Sequence, residues 1–302
     1  MKLIITGSLG NVGKPLTQQL IASGHEVTVI TSQYERKQSI EALGAKAAVG
    51  SIADEAFLTQ VFTGADAVFA MTPPGYGNSP IVANITRQGE TYATAFKQAG
   101  IERVVMLSSL GAHLAGGNGP IEAIHNIENI YRSVVSTSFT FLRAGYFYLN
   151  FLADIPMIKN AGIEGSNFST TSRIPLVHPL DIARAAAEEL VTKQKGNKVR
   201  YIVSDIRTGA DIAKVLGTAI GNPALPWVEF SDAQAIEGMT NAGLPQELAG
   251  LFAAMGAGLR NGSIQGNFIA QGSPVTGSIK LESFAEEFAN AFGATAAASV
   301  DR

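Results

Sequence analysis

The chain has 302 residues, 46% of them hydrophobic and 16% charged, which is enough to bury a large core and too apolar for a disordered polymer. A formal net charge of −3 leaves no basic surplus for neutralising phosphates along a nucleic acid, so direct DNA or RNA binding is not expected. Cysteine is absent, which excludes disulfides, thiolate metal sites and cysteine nucleophiles, and no apolar stretch reaches membrane-spanning length.

Met1-Lys2 runs straight into Leu3-Ile4-Ile5, which reads as a first strand and not as a secretory leader, so a soluble, unprocessed, cytoplasmic chain is expected. From there apolar runs alternate with helix-like segments: KLIIT, GKPLTQQLIASG, EVTVITS, ERKQSIEALGA, KAAVG, DEAFLTQVFTG and DAVFAMTPP. Such alternation builds a parallel sheet, and strands that are apolar throughout are those covered by helices on both faces. A longer helix follows from about Ile81 to Gly100, then the strand RVVMLSS, a helix from about Pro120 to Ser136, and the strand FTFLR.

After Asn150 the rhythm loosens into a stretch rich in Gly, Ser, Thr and Asn, read as an excursion from the sheet. PLVHPLDIARAAAEELVTKQ then reads as a short strand and a helix with Asp181 near its start, and KVRYIVSD as a further strand. From Thr208 onward three helical patterns are separated by Gly and Pro. The expected fold is α/β: a Rossmann-like, doubly wound parallel sheet with a smaller, mostly helical C-terminal lobe. The domain division that follows is 1–150, with 174–205 returning to it, against 151–173 and 206–302.

Gly7, Gly10 and Gly13 follow the first strand, and Pro15 falls where a first helical turn tolerates a residue without an N–H. Amides at the start of that helix suit a pyrophosphate, with Leu9, Asn11 and Val12 completing the loop. The spacing is G-x-x-G-x-x-G and not the commoner G-x-G-x-x-G. An acid at the end of the second strand would bind a ribose 2′-hydroxyl and repel a 2′-phosphate; Thr31, Ser32 and Gln33 stand there instead, with Arg36 and Lys37 just beyond. NADP is therefore favoured over NAD, although Glu35 between the two bases weakens the preference. Later strand ends line the same crevice in this fold class: Ser51 after the third strand, Met71, Thr72, Pro73 and Pro74 after the fourth, Ser108 and Ser109 after the fifth.

TGSLGNVG, DAVFAMTPP, RVVMLSSLGA, FTFLRAGYFYLN with Arg143 and Asn150, and PLVHPLDIA occur in the order seen in the NmrA-like group of atypical short-chain dehydrogenase/reductases, and the chain resembles that group over most of its length. The group includes NAD(P)H:quinone oxidoreductases, triphenylmethane-type reductases and redox-sensing regulators. The resemblance implies a Rossmann-like NADP-binding domain, a smaller C-terminal lobe and a substrate held in the cleft between them. Ser51 departs from the pattern, since such proteins often carry Asp there.

Ordinary short-chain dehydrogenases use a Tyr-x-x-x-Lys pair, in which the ammonium lowers the phenol's pKa. Four residues after Tyr34, Tyr76, Tyr92, Tyr131, Tyr146, Tyr148 and Tyr201 stand Gln38, Pro80, Phe96, Val135, Asn150, Leu152 and Asp205, so the pair is absent. Reducing a ketone leaves an alkoxide about as basic as hydroxide, whereas reducing a quinone leaves a phenolate-like anion with a pKa near about 10, a difference of about 8 kcal/mol. A conjugated acceptor can thus take hydride without a strong acid. His125 and Tyr146 are the candidate catalytic groups, and Leu110, His113, Phe147 and Asn150 the candidate substrate pocket, for an aromatic or conjugated small molecule.

Two readings follow. One is an NAD(P)H-dependent reductase of quinone-like compounds; the other is a non-catalytic redox sensor acting through a protein partner, which explains the missing acid equally well. A sugar-nucleotide epimerase is disfavoured because it would need the absent pair. A homodimer stays open. With four scattered His and no Cys, no metal is expected.

Overall fold

The computed structural model describes residues 1–73, 75 and 79–300, with the side chains of 295–300 left aside. Pro74 and Tyr76, named above, lie outside the described residues. The chain divides into two compact units: Met1–Ala115, Pro120–Ala144 and Ile182–Tyr201 form the first, and Gly116–Gly119, Gly145–Asp181 and the chain from Ile202 onward form the second.

The first unit is built on strands β1 (Lys2–Ile5), β2 (Glu26–Thr31), β3 (Lys46–Val49), β4 (Ala67–Ala70), β5 (Arg103–Ser109) and β6 (Ser138–Ala144). With β10 (Lys198–Ile202) at one edge they form a seven-stranded sheet in the order β10-β6-β5-β4-β1-β2-β3. The pairs from β3 to β6 are all parallel. After β3 the chain crosses back to place β4 on the other side of β1. This reversal is where open parallel sheets hold their ligands.

Helices α1 (Gly13–Ala22), α2 (Lys37–Ala42), α3 (Glu55–Phe62), α4 (Ile81–Ala99) and α5 (Ile121–Arg132) connect the strands. Asp54 starts α3 by accepting the Phe57 amide at 3.0 Å, and Gly100, left-handed at φ 66°, ends α4. Helix α5 stops short of the expected Ser136, because the Ser133 hydroxyl donates to the Ile130 carbonyl at 2.6 Å and the chain turns. A run of rings joins these helices to the sheet: Phe62 stacks on Phe96 at 5.2 Å, Tyr131 meets Phe96 edge-on at 5.5 Å, and Tyr131 stacks on Phe139 at 5.1 Å. Helices α4 and α5 approach closely enough that a Cβ on Gly89 would lie 2.4 Å from Ile127 Cγ1.

A buried charge cluster joins α5 to β5 and β6. Glu128, 2% exposed, accepts from Arg143 Nε at 3.0 Å and Nη2 at 2.8 Å, and from the Ser108 hydroxyl at 2.6 Å. Arg132, one helical turn on, adds a contact at 3.2 Å.

The second unit holds β7 (Tyr146–Phe147), β8 (Glu164–Ser166), β9 (Ile174–Val177), β11 (Asp205–Arg207) and β12 (Trp227–Glu229), with α6 (Ile155–Ala161) and, later in the chain, α8 (Gly209–Ala219), α9 (Asp232–Asn241), α10 (Gln246–Arg260), α11 (Gly266–Ala270) and α12 (Leu281–Val300). Helix α7 (Pro179–Val191) falls across the division between the units. The expected helical character is present, but the unit also holds two small sheets, β11-β9-β7 and β12-β8, and the loose stretch after Asn150 supplies β8 to the second. Strand β9, expected to return to the large sheet, pairs instead with β11 and β7. Its apolar run encodes burial and says nothing of which sheet buries it. Capping boxes at Thr208/Asp211 and Ser231/Gln234 start α8 and α9. Asp181 gathers the Ser204 hydroxyl at 2.7 Å, the Ile279 amide at 3.1 Å and the Ser278 hydroxyl at 3.3 Å, and Gly277 passes so close that a Cβ there would stand 2.5 Å from the Asp181 carboxylate. Among the described residues no helix is long and apolar enough to cross a membrane.

Two consequences are measurable by urea unfolding. Gly89→Val forces α4 from α5 and lowers stability by about 1–3 kcal/mol. Arg143→Ala leaves Glu128 without its bidentate partner and costs about 3–5 kcal/mol, most of which the double change Arg143→Met with Glu128→Met restores.

Candidate functional site

The glycine loop sits at the strand-order reversal. Thr6 Oγ1 donates to the Met71 carbonyl at 3.0 Å and accepts from the Met71 amide at 2.7 Å, tying the ends of β1 and β4 together. The Ser8 amide donates to the Ile30 carbonyl at 3.2 Å, which anchors the loop to β2. Gly7 is left-handed at φ 88°, and a Cβ there would lie 2.0 Å from Met71 Cε; a Cβ on Gly13 would lie 2.2 Å from the Ser8 carbonyl oxygen. Glycine is needed at both positions for these separate reasons. Leu9 and Gly10 are half-buried, Asn11 is exposed and Val12 is buried. No side chain caps the N-terminus of α1, so its first-turn amides and their partial positive charge have no side-chain acceptor.

Ser8 was not legible from sequence. It is left-handed at φ 55°, 8% exposed, and its buried hydroxyl meets no hydrogen-bond partner. Strained backbone and an unsatisfied hydroxyl both carry a cost, and both occur here in one residue of an uncapped loop.

At the end of β2, Thr31 is buried and its hydroxyl accepts the Gln33 amide at 3.2 Å, while Ser32, Gln33 and Arg36 are exposed. Lys37 lies 3.9 Å from Glu41 and 6.0 Å from the centroid of the Tyr34 ring, so it is partly engaged by local neighbours. Tyr34, 69% exposed beside these bases, is a further residue that sequence patterning passed over. Ser51 is exposed and accepts the Ala53 amide at 3.1 Å. Met71, Thr72 and Pro73 are half-buried after β4, with Met71 against Gly7.

The two β5-end serines differ. Ser108 has its hydroxyl proton committed to Glu128, which turns it towards α5; Ser109, half-buried, donates to the Leu110 carbonyl at 3.0 Å. Leu110 is buried and its amide bonds the Ala144 carbonyl at 2.8 Å, whereas His113 is half-buried in the following loop.

His125 on α5 stands 2.9 Å through Nδ1 from the Ala112 carbonyl, and 2.9 Å through Nε2 from the Asn129 amide nitrogen. A carbonyl only accepts, so Nδ1 carries the proton; Nε2 of the neutral ring then accepts from Asn129. Donation from Nε2 would require a second proton on the ring and a turn of the Asn129 amide. Tyr146, Phe147 and Asn150 belong to the second unit. Tyr146 contacts Phe151 at 5.5 Å, and Asn150 hydrogen-bonds its phenol. Burial, followed by the neighbouring Asp154 and Glu164 carboxyls, raises the Tyr146 phenol well above its ordinary range. Among the described residues no group of three or more His, Asp or Glu is arranged to hold a metal ion.

The chain has relatives among known proteins. NAD(P)H azoreductase of Xenophilus azovorans is 24% identical over 251 residues, covering 82% of this chain and 83% of that protein. An NADPH-dependent quinone oxidoreductase of Escherichia coli, solved in complex with NADPH, superposes with a TM-score of 0.80 at 20% identity, covering 94% of this chain and 99% of the other. Triphenylmethane reductase of Citrobacter sp., complexed with NADP(H), gives 0.77 at 19% identity over 95% and 99% of the two chains. At such identities these structures share the fold. The family model described as NmrA-like matches residues 1–254, which takes in the glycine loop, the β4 and β5 ends and the segment from Arg143 to Asn150. By that match the chain belongs to the NmrA-like family.

Proposed function

We propose that the protein is an NADPH-dependent reductase that passes hydride to a quinone-like or otherwise conjugated small molecule. The observation that carries the dinucleotide part is the uncapped start of α1 above a left-handed Gly7-Ser8 turn at the strand reversal, with the buried Ser8 hydroxyl unpartnered. A helix start with no side-chain cap and a buried hydroxyl without a partner suit a pyrophosphate, although the Lys14 and Leu16 amides already donate to the Gly10 and Val12 carbonyls at 3.0 and 3.1 Å. Exposed Arg36 and the absence of an acid at the end of β2 suit a 2′-phosphate, and the NADPH-complexed quinone oxidoreductase and NADP(H)-complexed dye reductase support the same choice.

The electrophile follows from what the candidate proton donors lack. Neutral His125 has its one ring proton committed to a carbonyl, and the Tyr146 phenol is raised and not lowered. The Tyr146 phenol is therefore a weaker acid than usual, and His125 has no ring proton left over in this arrangement. Reduction of a conjugated acceptor needs no strong acid, because the product anion is stabilised in its own π system and takes its proton from water. On this reading Ser109, Leu110 and His113 border the nicotinamide side.

Mixing the protein with NADPH and a panel of benzoquinones, naphthoquinones and azo dyes, with the nicotinamide absorbance followed, is expected to show turnover with at least one acceptor. Failure with every acceptor, together with unequal calorimetric affinities for NADP and NADPH, would favour a sensor over an enzyme. Arg36→Ala is expected to weaken NADPH binding about tenfold and leave NADH binding unchanged, the lower end for a charge-assisted bond because the side chain is exposed. Equal losses for both coenzymes would remove Arg36 from phosphate recognition.

A further inference from the structure

The second unit contains a pair of acids that the reductase reading does not use. Glu164 opens β8 and is 0% exposed, yet neither carboxyl oxygen is met by a well-aligned amide or hydroxyl donor. Its polar neighbours are the Gly165 amide and the carboxyl of Asp154, a half-buried residue just before α6. No Lys, Arg or His pairs with either carboxyl among the described residues. The charged groups on the surrounding elements do not compensate. Lys159 of α6 directs its ammonium over the Phe292 ring at 4.7 Å, β7 contributes the neutral Tyr146 phenol, and β12 places Trp227 opposite Glu164. Glu229 at the far end of β12 and Asp211 and Lys214 on α8 are exposed.

Two ionised carboxylates hold no hydrogen bond to one another, because both sides only accept. A carboxylic acid and a carboxylate do, and burial without a cation makes this the stable arrangement. We propose that Asp154 and Glu164 form a proton-binding site in the second unit, with Glu164 donating a single proton to the Asp154 carboxylate at neutral pH and releasing it to solvent under alkaline conditions. Burial first, and for Glu164 the neighbouring Asp154 next, raises both acids above the ordinary carboxyl range.

The sign is fixed by linkage. An acid whose folded pKa lies above its unfolded value stabilises the fold fully below the unfolded value, and this contribution is lost as pH rises through the folded one. The second unit is therefore more stable in mild acid than in mild base. Release leaves two negative charges between α6 and β8.

The chain carries a built-in reporter, since its only tryptophan, Trp227, is the register partner of Glu164. Titrating the full-length protein from about pH 5 to about pH 10, a range spanning the raised carboxyls, is expected to give a transition in Trp227 fluorescence and a thermal midpoint that falls by about 5 °C over the same range. Glu164→Gln keeps an N–H donor towards Asp154 and cannot ionise, so the alkaline part of both pH dependences should vanish. Should that variant fail to fold, Asp154→Asn, which removes the like charge beside Glu164, is expected to move both transitions to lower pH, and transitions left where they were overturn the proposal. A wild type featureless across the range, or a transition unchanged in the variant, overturns the proposal.

A second arm rests on the reductase reading: through Tyr146, the KM for a quinone is expected to rise with pH in the wild type and to stay level in Glu164→Gln. Absence of any turnover would count against the reductase reading and leave the fluorescence result standing.

Discussion

Thr6 and Met71 exchange hydrogen bonds in both directions, and this clasp sets the distance between the ends of β1 and β4. The next position, Gly7, turns left-handed at φ 88°, a conformation that a side chain would strain. Everything read as a dinucleotide site depends on that turn. It carries the chain from β1 into α1, which begins without a side-chain cap, at the strand reversal of the sheet.

The chemistry assigned to the site follows from electrostatics that oppose acid catalysis. In a tyrosine-lysine enzyme a nearby ammonium makes the phenol more acidic; here burial and then the charges of two carboxyls act on Tyr146 in the other direction. His125 meets an amide at i+4 where a cation would be needed. On the proposed reading such donors suit a reaction in which the electron-accepting molecule, and not the protein, carries the burden of stabilising negative charge.

The first unit was readable from sequence because its signals are local and repeated. Apolar runs, helix periodicity and Gly-Pro punctuation recur from KLIIT to FTFLR, and the glycine spacing marks one turn with one geometry. Strand β9 was misplaced because an apolar run cannot name its partner sheet. Ser108 reads as a crevice residue from its position at a strand end, and only the fold reveals that Glu128 takes its hydroxyl. Ser8, Tyr34 and the Asp154–Glu164 pair escaped for a related reason. Burial, exposure and carboxyl proximity are properties of the packed chain, and residues 154 and 164 sit in a stretch whose composition reads as loop.

Asp181 collects donors from Ser204, Ser278 and Ile279, the last of them separated from it by 98 positions. A carboxylate buried by partners so distant along the chain stays unsatisfied until those partners exist. During synthesis the ribosome delivers the residues of the glycine loop and its neighbouring strands long before it delivers the strap that closes on Asp181. The nascent protein therefore passes through a stage in which the nucleotide-binding half can assemble while the other half waits, and a bound dinucleotide is free to stabilise the early half before translation ends.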